Sequence, residues 1–294
     1  MRFFRMINVG GRRKEAAYQT EKEINMIYIT GDCHQDYRKF SLANFPEQKE
    51  MTKEDYVIVC GDFGYWLPSK EQDWELDRLA ERPFTTLFID GNHEYFRTNR
   101  EYVLKHRNKY ETGLLDLPEE KWHGGKVHRI NESVIHLCRG QIFDINGLSF
   151  FTFGGARSHD ISDGILDPDD FEGGRRSFEY KQKLKRLRSV GALFRIKGIS
   201  WWPEEMPCEE EMAEGKRNLA GHGNKVDFVL SHDGPSFAVV QYSKGRFMLD
   251  ELNQYLYEIS QQAEYRHWFF GHYHEEISLD NKHAILYHQM VRVE

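Results

Sequence analysis

The chain has 294 residues, enough to bury one large core or two small ones, and its 30% charged and 14% aromatic residues exclude a disordered or repetitive scaffold. Apolar runs such as Val57-Ile58-Val59-Cys60 fall far below the ~18 residues of a membrane helix, which excludes a helical membrane span. With 40 Lys and Arg against 47 Asp and Glu the net charge is −7, a sign that repels polyphosphate backbones and speaks against non-specific nucleic-acid binding.

Four cysteines, Cys33, Cys60, Cys138 and Cys208, contain no C-x-x-C pair and are too few for a disulfide scaffold, so a reducing cytoplasm is the expected location. Residues 1–25 carry Arg2, Arg5, Arg12, Arg13 and Lys14 but no apolar stretch of the kind a secretory signal needs. Met26 stands directly before the first strand-like run. Residues 1–25 therefore read as an N-terminal extension, poorly ordered and dispensable, and residues 26–294 as a single domain.

From Met26 the chain alternates apolar β-type runs with amphipathic segments. Strands are predicted at Ile27–Ile29, Tyr56–Val59 and Thr85–Ile89, with a helix over 70–81 between the last two, the pattern of a parallel sheet covered on both faces. Short runs at 133–138, 141–145 and 148–153, punctuated by Arg139-Gly140 and Asn146-Gly147, predict an antiparallel meander. Residues 156–212 are charged, with a Gly173-Gly174 break and a Trp201-Trp202-Pro203 knot, and read as a helical insertion or cap. Strand patterns return at 226–230, 267–270, 276–279 and 284–287, after a helix predicted over 248–263.

The chemistry lies at the strand ends. The runs finish in Gly31-Asp32-Cys33-His34, Gly61-Asp62, Gly91-Asn92-His93-Glu94, Ser231-His232 and Gly271-His272-Tyr273-His274. In open α/β sheets ligands bind beyond the carboxyl ends of the strands, so Asp, Asn and His side chains converge on one edge. Carboxylate, amide oxygen and imidazole together suit a transition ion and suit calcium poorly; seven such groups are too many for one ion, so two are expected. Manganese is placed first, with iron, zinc, nickel or cobalt also suited.

The ordered blocks D-x-H, G-D, G-N-H-E, a lone His and G-H-x-H, over residues 31–274, resemble the calcineurin-like metallophosphoesterases, in particular their bacterial or phage-type members. The resemblance implies an α/β fold, a four-layer αββα sandwich with mixed β-sheets, and a metal-dependent hydrolase of a phosphate mono- or diester. It implies that Asp32, His34 and His274 hold one metal, that Asn92, His232 and His272 hold the other, and that Asp62 bridges both. A metal-bridging hydroxide would attack the phosphorus, and His93, left free of metal, would protonate the leaving oxygen. The protein phosphatases of the superfamily continue the second block with Asp-Arg-Gly. Here it reads Gly61-Asp62-Phe63-Gly64-Tyr65-Trp66, which speaks against that branch and leaves His93 without an orienting partner. Two alternatives stand beside the esterase: a non-catalytic module binding a phosphorylated ligand, and a nuclease of the same superfamily.

Other residues carry plainer readings. Arg157, after Gly154-Gly155, is a candidate phosphate clamp or a surface ion pair with Asp160 or Asp163. Glu94 is expected to satisfy backbone donors after the turn. The run from Lys181 to Arg188 is expected to be a solvated helix face with an apolar seam. The remaining histidines, among them His106, His123, His128, His136, His267, His283 and His288, are read as surface or hydrogen-bonded residues.

Overall fold

The computed structural model describes residues 25–294, and the extension expected over residues 1–25 lies, but for Asn25, outside the described residues. The first part of the chain forms β1 (Ile27–Thr30), β2 (Tyr56–Cys60), α1 (Lys70–Ala80), β3 (Thr85–Ile89) and α2 (Arg100–His106). Five strands follow without an intervening helix: β4 (Glu119–Trp122), β5 (Gly125–Asn131), β6 (Val134–Leu137), β7 (Gln141–Ile145) and β8 (Leu148–Phe153). After them come β9 (Ile165–Leu166), α3 (Phe178–Ser189), β10 (Arg195–Ile196), α4 (Glu209–Gly221), β11 (Phe228–Ser231), α5 (Ser236–Ser243) and α6 (Glu251–Gln262). The last elements are β12 (His267–Phe270), β13 (Ile277–Ser278), β14 (His283–Ile285) and β15 (Val291–Val293).

These strands make two large mixed sheets. One runs β15-β1-β2-β3-β6-β5-β4 and the other β13-β14-β12-β11-β8-β7. In each, the middle strands are parallel and the edges antiparallel. Alternation along the strands sorts their side chains into layers. Ile27, Ile29, Ile58 and Cys60 join Phe150, Phe228 and Leu230 in a core between the sheets. Tyr28, Val57, Val59 and Phe88 point the other way, onto Leu76 and Leu79 of α1. Phe151, Phe153 and Val229 point outward from the second sheet onto Leu219 of α4, Ala238 of α5, and Leu252, Leu256 and Ile259 of α6. Helix, sheet, sheet, helix is the four-layer order expected.

The meander expected over 133–153 divides between the sheets. β6 pairs in parallel with β3, whereas β7 and β8 form a hairpin in the other sheet. The Arg139-Gly140 turn is the crossing point: Gly140 has φ 69°, and a Cβ there would come within 2.8 Å of the Gly215 Cα on α4. The helix expected from 248 starts at Glu251 because the Asp250 side chain accepts from the backbone of Leu252 and Asn253. Within 156–212, α-helix is concentrated in α3 and the first residues of α4; β9 and β10 pair as a two-stranded ribbon whose small core contains Leu166, Tyr180 and Ile196. Among the described residues no helix is long and apolar enough to cross a membrane.

Candidate metal centre

Parallel strands put their carboxyl ends on one edge, and β1, β2, β3, β11 and β12 release the motif residues there. Asp32, His34, Asp62 and His274 each offer a ligand atom within 4.8 Å of the others. His34 Nε2 is 3.6 Å from Asp32 Oδ2 and 3.5 Å from Asp62 Oδ2, while His274 Nε2 is 3.2 Å from Asp32 Oδ2. On the other side of Asp62, His232 Nε2 is 3.4 Å from Oδ1 and 3.2 Å from Asn92 Oδ1. Asp62 thus faces His34 with one oxygen and His232 with the other. His272 lies beside His232, ring centroids 5.0 Å apart, and its backbone N–H donates to Asp32 Oδ1 at 3.0 Å.

The backbone is shaped to make this approach. His34, Asp62, His272 and His274 all have φ between 42° and 68°, the left-handed region that costs a non-glycine residue roughly 1–3 kcal/mol, and such strain gathers at functional sites. Glycine is demanded at two contacts: a Cβ on Gly271 would sit 2.1 Å from Asp32 Oδ1, and one on Gly91 2.0 Å from Asp62 Oδ1. Glu94 accepts from the Phe63 and Tyr65 backbone N–H groups at 2.8 and 2.7 Å, pinning the loop after β2 as expected.

Burial pushes the Asp32 carboxyl up, but the His232 charge and the neighbouring His274 and His34 imidazoles outweigh it and hold it well below the ordinary carboxylate range. Asp62 is lowered likewise, burial being overcome by His232. Burial lowers His232, yet the Asp62 and Asp32 charges raise it to about 10. The two buried carboxylates thus draw positive charge toward them. Among the described residues Asp32 Oδ2 is buried with the His274 and His34 rings facing it but no hydrogen bond formed, and the surrounding groups are carboxylate, imidazole and amide oxygen. That donor set fits divalent transition ions.

Two partners that complete the centre carry no sequence signal. Ser158 accepts from Asn92 Nδ2 at 3.2 Å and donates to Glu205 Oε2 at 2.6 Å, an arrangement that turns Asn92 Oδ1 toward His232. His159 Nε2 is 3.3 Å from His272 Nε2.

His93 touches the cluster through its backbone, donating to Asp62 Oδ1 at 2.8 Å, and its ring lies between those of His34 and Trp66, each 5.6 Å away. Burial lowers its pKa, with the Arg195 charge working in the same direction against that of Asp62. Arg195, paired with Asp160, is the neighbour the sequence left unnamed. Arg157 is half exposed and pairs with Asp250 and Glu251 at the start of α6, not with Asp160 or Asp163.

Away from this edge, His128 on β5, His136 on β6 and Cys138 just after it also gather. His128 Nδ1 and His136 Nδ1 are 3.0 Å apart and His136 Nε2 meets Asp90 Oδ1 at 3.1 Å, a hydrogen-bonded chain ending on a buried carboxylate. His283 is likewise satisfied, between Asp280 and the Tyr265 hydroxyl.

A family model described as calcineurin-like phosphoesterase matches residues 26–276. Among solved structures the chain is similar to the phosphopantetheinyl hydrolase of Mycobacterium tuberculosis, at 16% identity and a TM-score of 0.39, over 90% of this chain and 88% of that one. No curated protein matches it. From the strand-end blocks and the matched span together, the chain belongs to the calcineurin-like phosphoesterase family.

Proposed function

We propose that the chain is a two-metal hydrolase of phosphate esters. In this reading Asp32, His34 and His274 hold one divalent ion, Asn92, His232 and His272 the other, and Asp62 is shared. Bound there, the ions neutralise charge on phosphoryl oxygens and activate water, manganese being the ion of first choice. The observation that carries the reading is the convergence of Asp32, His34, Asp62 and His274, whose ligand atoms lie within 4.8 Å of one another. Residues 26–294 act as one domain, with 156–212 as a cap that brings Ser158, Asp160, Arg195 and Glu205 to the edge.

The side chains divide the remaining work. His232 donates from Nδ1 to the Cys60 carbonyl at 2.8 Å, which fixes its tautomer and leaves Nε2 for the metal. His93 hands a proton to the departing oxygen, a task for which an imidazole one residue past a ligand is well placed. Four free cysteines suit a reducing compartment.

Hydrolysis of p-nitrophenyl phosphate and bis-p-nitrophenyl phosphate, measured with Mn, Fe, Co, Ni and Zn in turn, tests the proposal. Turnover that depends on added metal is the expected result. A chain that binds metals and turns over neither ester is a binding module.

A further inference from the structure

Asp160 and Arg195 are 35 positions apart and meet beside His93. Arg195 opens β10, and the β9–β10 ribbon with its Leu166, Tyr180 and Ile196 core fixes its position. Its side chain is 22% exposed. Asp160 takes one edge of the fork: Nε donates to Oδ1 at 3.0 Å and Nη2 to Oδ2. Nη2 also lies 3.5 Å from His93 Nε2, while Nη1 has no hydrogen-bond partner among the described residues. A guanidinium carries five N–H donors in a rigid fork, so with Nε and Nη2 turned to Asp160 and His93 the two N–H groups of Nη1 are left preorganised for an anion's oxygen.

Nearby cations are turned elsewhere. The buried Lys39 ammonium donates to the carbonyls of Gly31, Asp32 and Tyr287 at 2.9, 2.7 and 2.5 Å, and Arg157 is engaged by Asp250 and Glu251. The loop after β2, Gly61 to Trp66, contains no arginine.

We propose that Arg195, oriented by Asp160, receives an unesterified oxygen of the substrate's phosphoryl group and gives the site a preference for phosphate monoesters. This inference rests on the phosphoesterase reading above. A monoester phosphoryl group carries three unesterified oxygens and close to two negative charges, a diester two oxygens and one charge. A cation on the His93 flank, apart from the seven candidate ligands, therefore gains most where the extra oxygen and charge exist.

Inorganic phosphate is the direct probe. Calorimetry on the manganese-loaded chain should show Arg195→Ala weakening phosphate binding roughly tenfold or more, with Arg195→Lys recovering part of the loss because it keeps the charge but not the fork. In parallel, kcat/KM for p-nitrophenyl phosphate should fall by about 10- to 100-fold and that for bis-p-nitrophenyl phosphate by less than about threefold, since one charge-assisted contact is removed. Metal content and melting temperature are measured beside them; if Arg195→Ala melts early, Arg195→Lys, which keeps the stem and the Asp160 pair, carries the comparison. Unchanged phosphate affinity, or equal losses for the two esters, overturns the assignment. If the wild-type chain hydrolyses neither ester, the esterase reading fails, and the phosphate titration still decides whether Arg195 is an anion receptor.

Discussion

His232, at the end of a strand in one sheet, donates from Nδ1 to the carbonyl of Cys60, the last residue of a strand in the other, at 2.8 Å. The two sheets are thus joined by a hydrogen bond at the candidate metal centre, and both partners are fully buried. The next residue, Gly61, has φ 84°, and a Cβ there would fall 2.2 Å from His232 Nδ1.

Gly61→Ala should therefore do more than strain the backbone. Gly147, in the β7–β8 turn, has nearly the same φ of 82° but nothing within 4 Å of a Cβ, so Gly147→Ala measures the strain alone, about 1 kcal/mol. Gly61→Ala adds a clash with a buried imidazole and should cost roughly 3 kcal/mol or more, with reduced metal content. Urea unfolding and metal analysis of the two variants decide the point. Equal losses of stability, with metal retained in both, contradict the packing described.

Asp90 directly follows β3 and receives the Arg139 guanidinium, at 2.8 Å from Nε, and the His136 ring, all three buried. Burial raises the Asp90 carboxyl, but Arg139 and His136 outweigh it and hold it well below the ordinary carboxylate range. A carboxylate lowered in the folded state contributes stability above its unfolded pKa of about 4 and loses it as pH falls through the folded value. Asp90→Asn strands a buried guanidinium and should cost roughly 3–5 kcal/mol at pH 7. The gap between variant and wild type should narrow as denaturation is repeated toward pH 3; a gap that widens on acidification contradicts the assignment.

Ser158 holds the Asn92 amide so that its oxygen faces His232. Ser158→Ala frees that amide to rotate, and partners that orient ligands typically change metal affinity by about 10- to 100-fold. Competition with a chelator should show one of two ions released more readily and the other unaffected. Identical release of both ions from variant and wild type removes Ser158 from the centre.

The proton donor can be separated from the ligands by leaving group. His93→Ala should keep both metals and slow an alkyl phosphate by about 10²- to 10⁴-fold, because its alkoxide needs the proton, while p-nitrophenolate departs with little help. Initial rates on the two esters, with metal content measured alongside, make the comparison. Equal slowing of both would assign His93 to phosphate binding instead.

How far the sequence could be read follows from where each signal sits. The seven candidate ligands were legible because each follows an apolar run and four stand directly after glycine, so a local pattern maps onto one edge of the fold. The meander over 133–153 misled because Arg139-Gly140 has the composition of a hairpin turn whether the next strand returns to the same sheet or crosses to another. Asp90 looked like any polar strand end, its partner Arg139 lying 49 positions away. Arg195 carried no signal, and Asp160 was read as a partner for Arg157, for the same reason: the two meet only when the ribbon after β8 folds against the edge.

In the proposed centre seven side chains hold two ions around a shared Asp62, and manganese stoichiometry by equilibrium dialysis on the wild type and on Asp62→Ala tests this. Asp62 faces His34 through one oxygen and His232 through the other, so its loss should weaken both sites together. Two manganese ions per wild-type chain and fewer than one for Asp62→Ala are expected at the same free concentration. A wild type that binds none, or a variant that keeps both, would contradict the proposed centre.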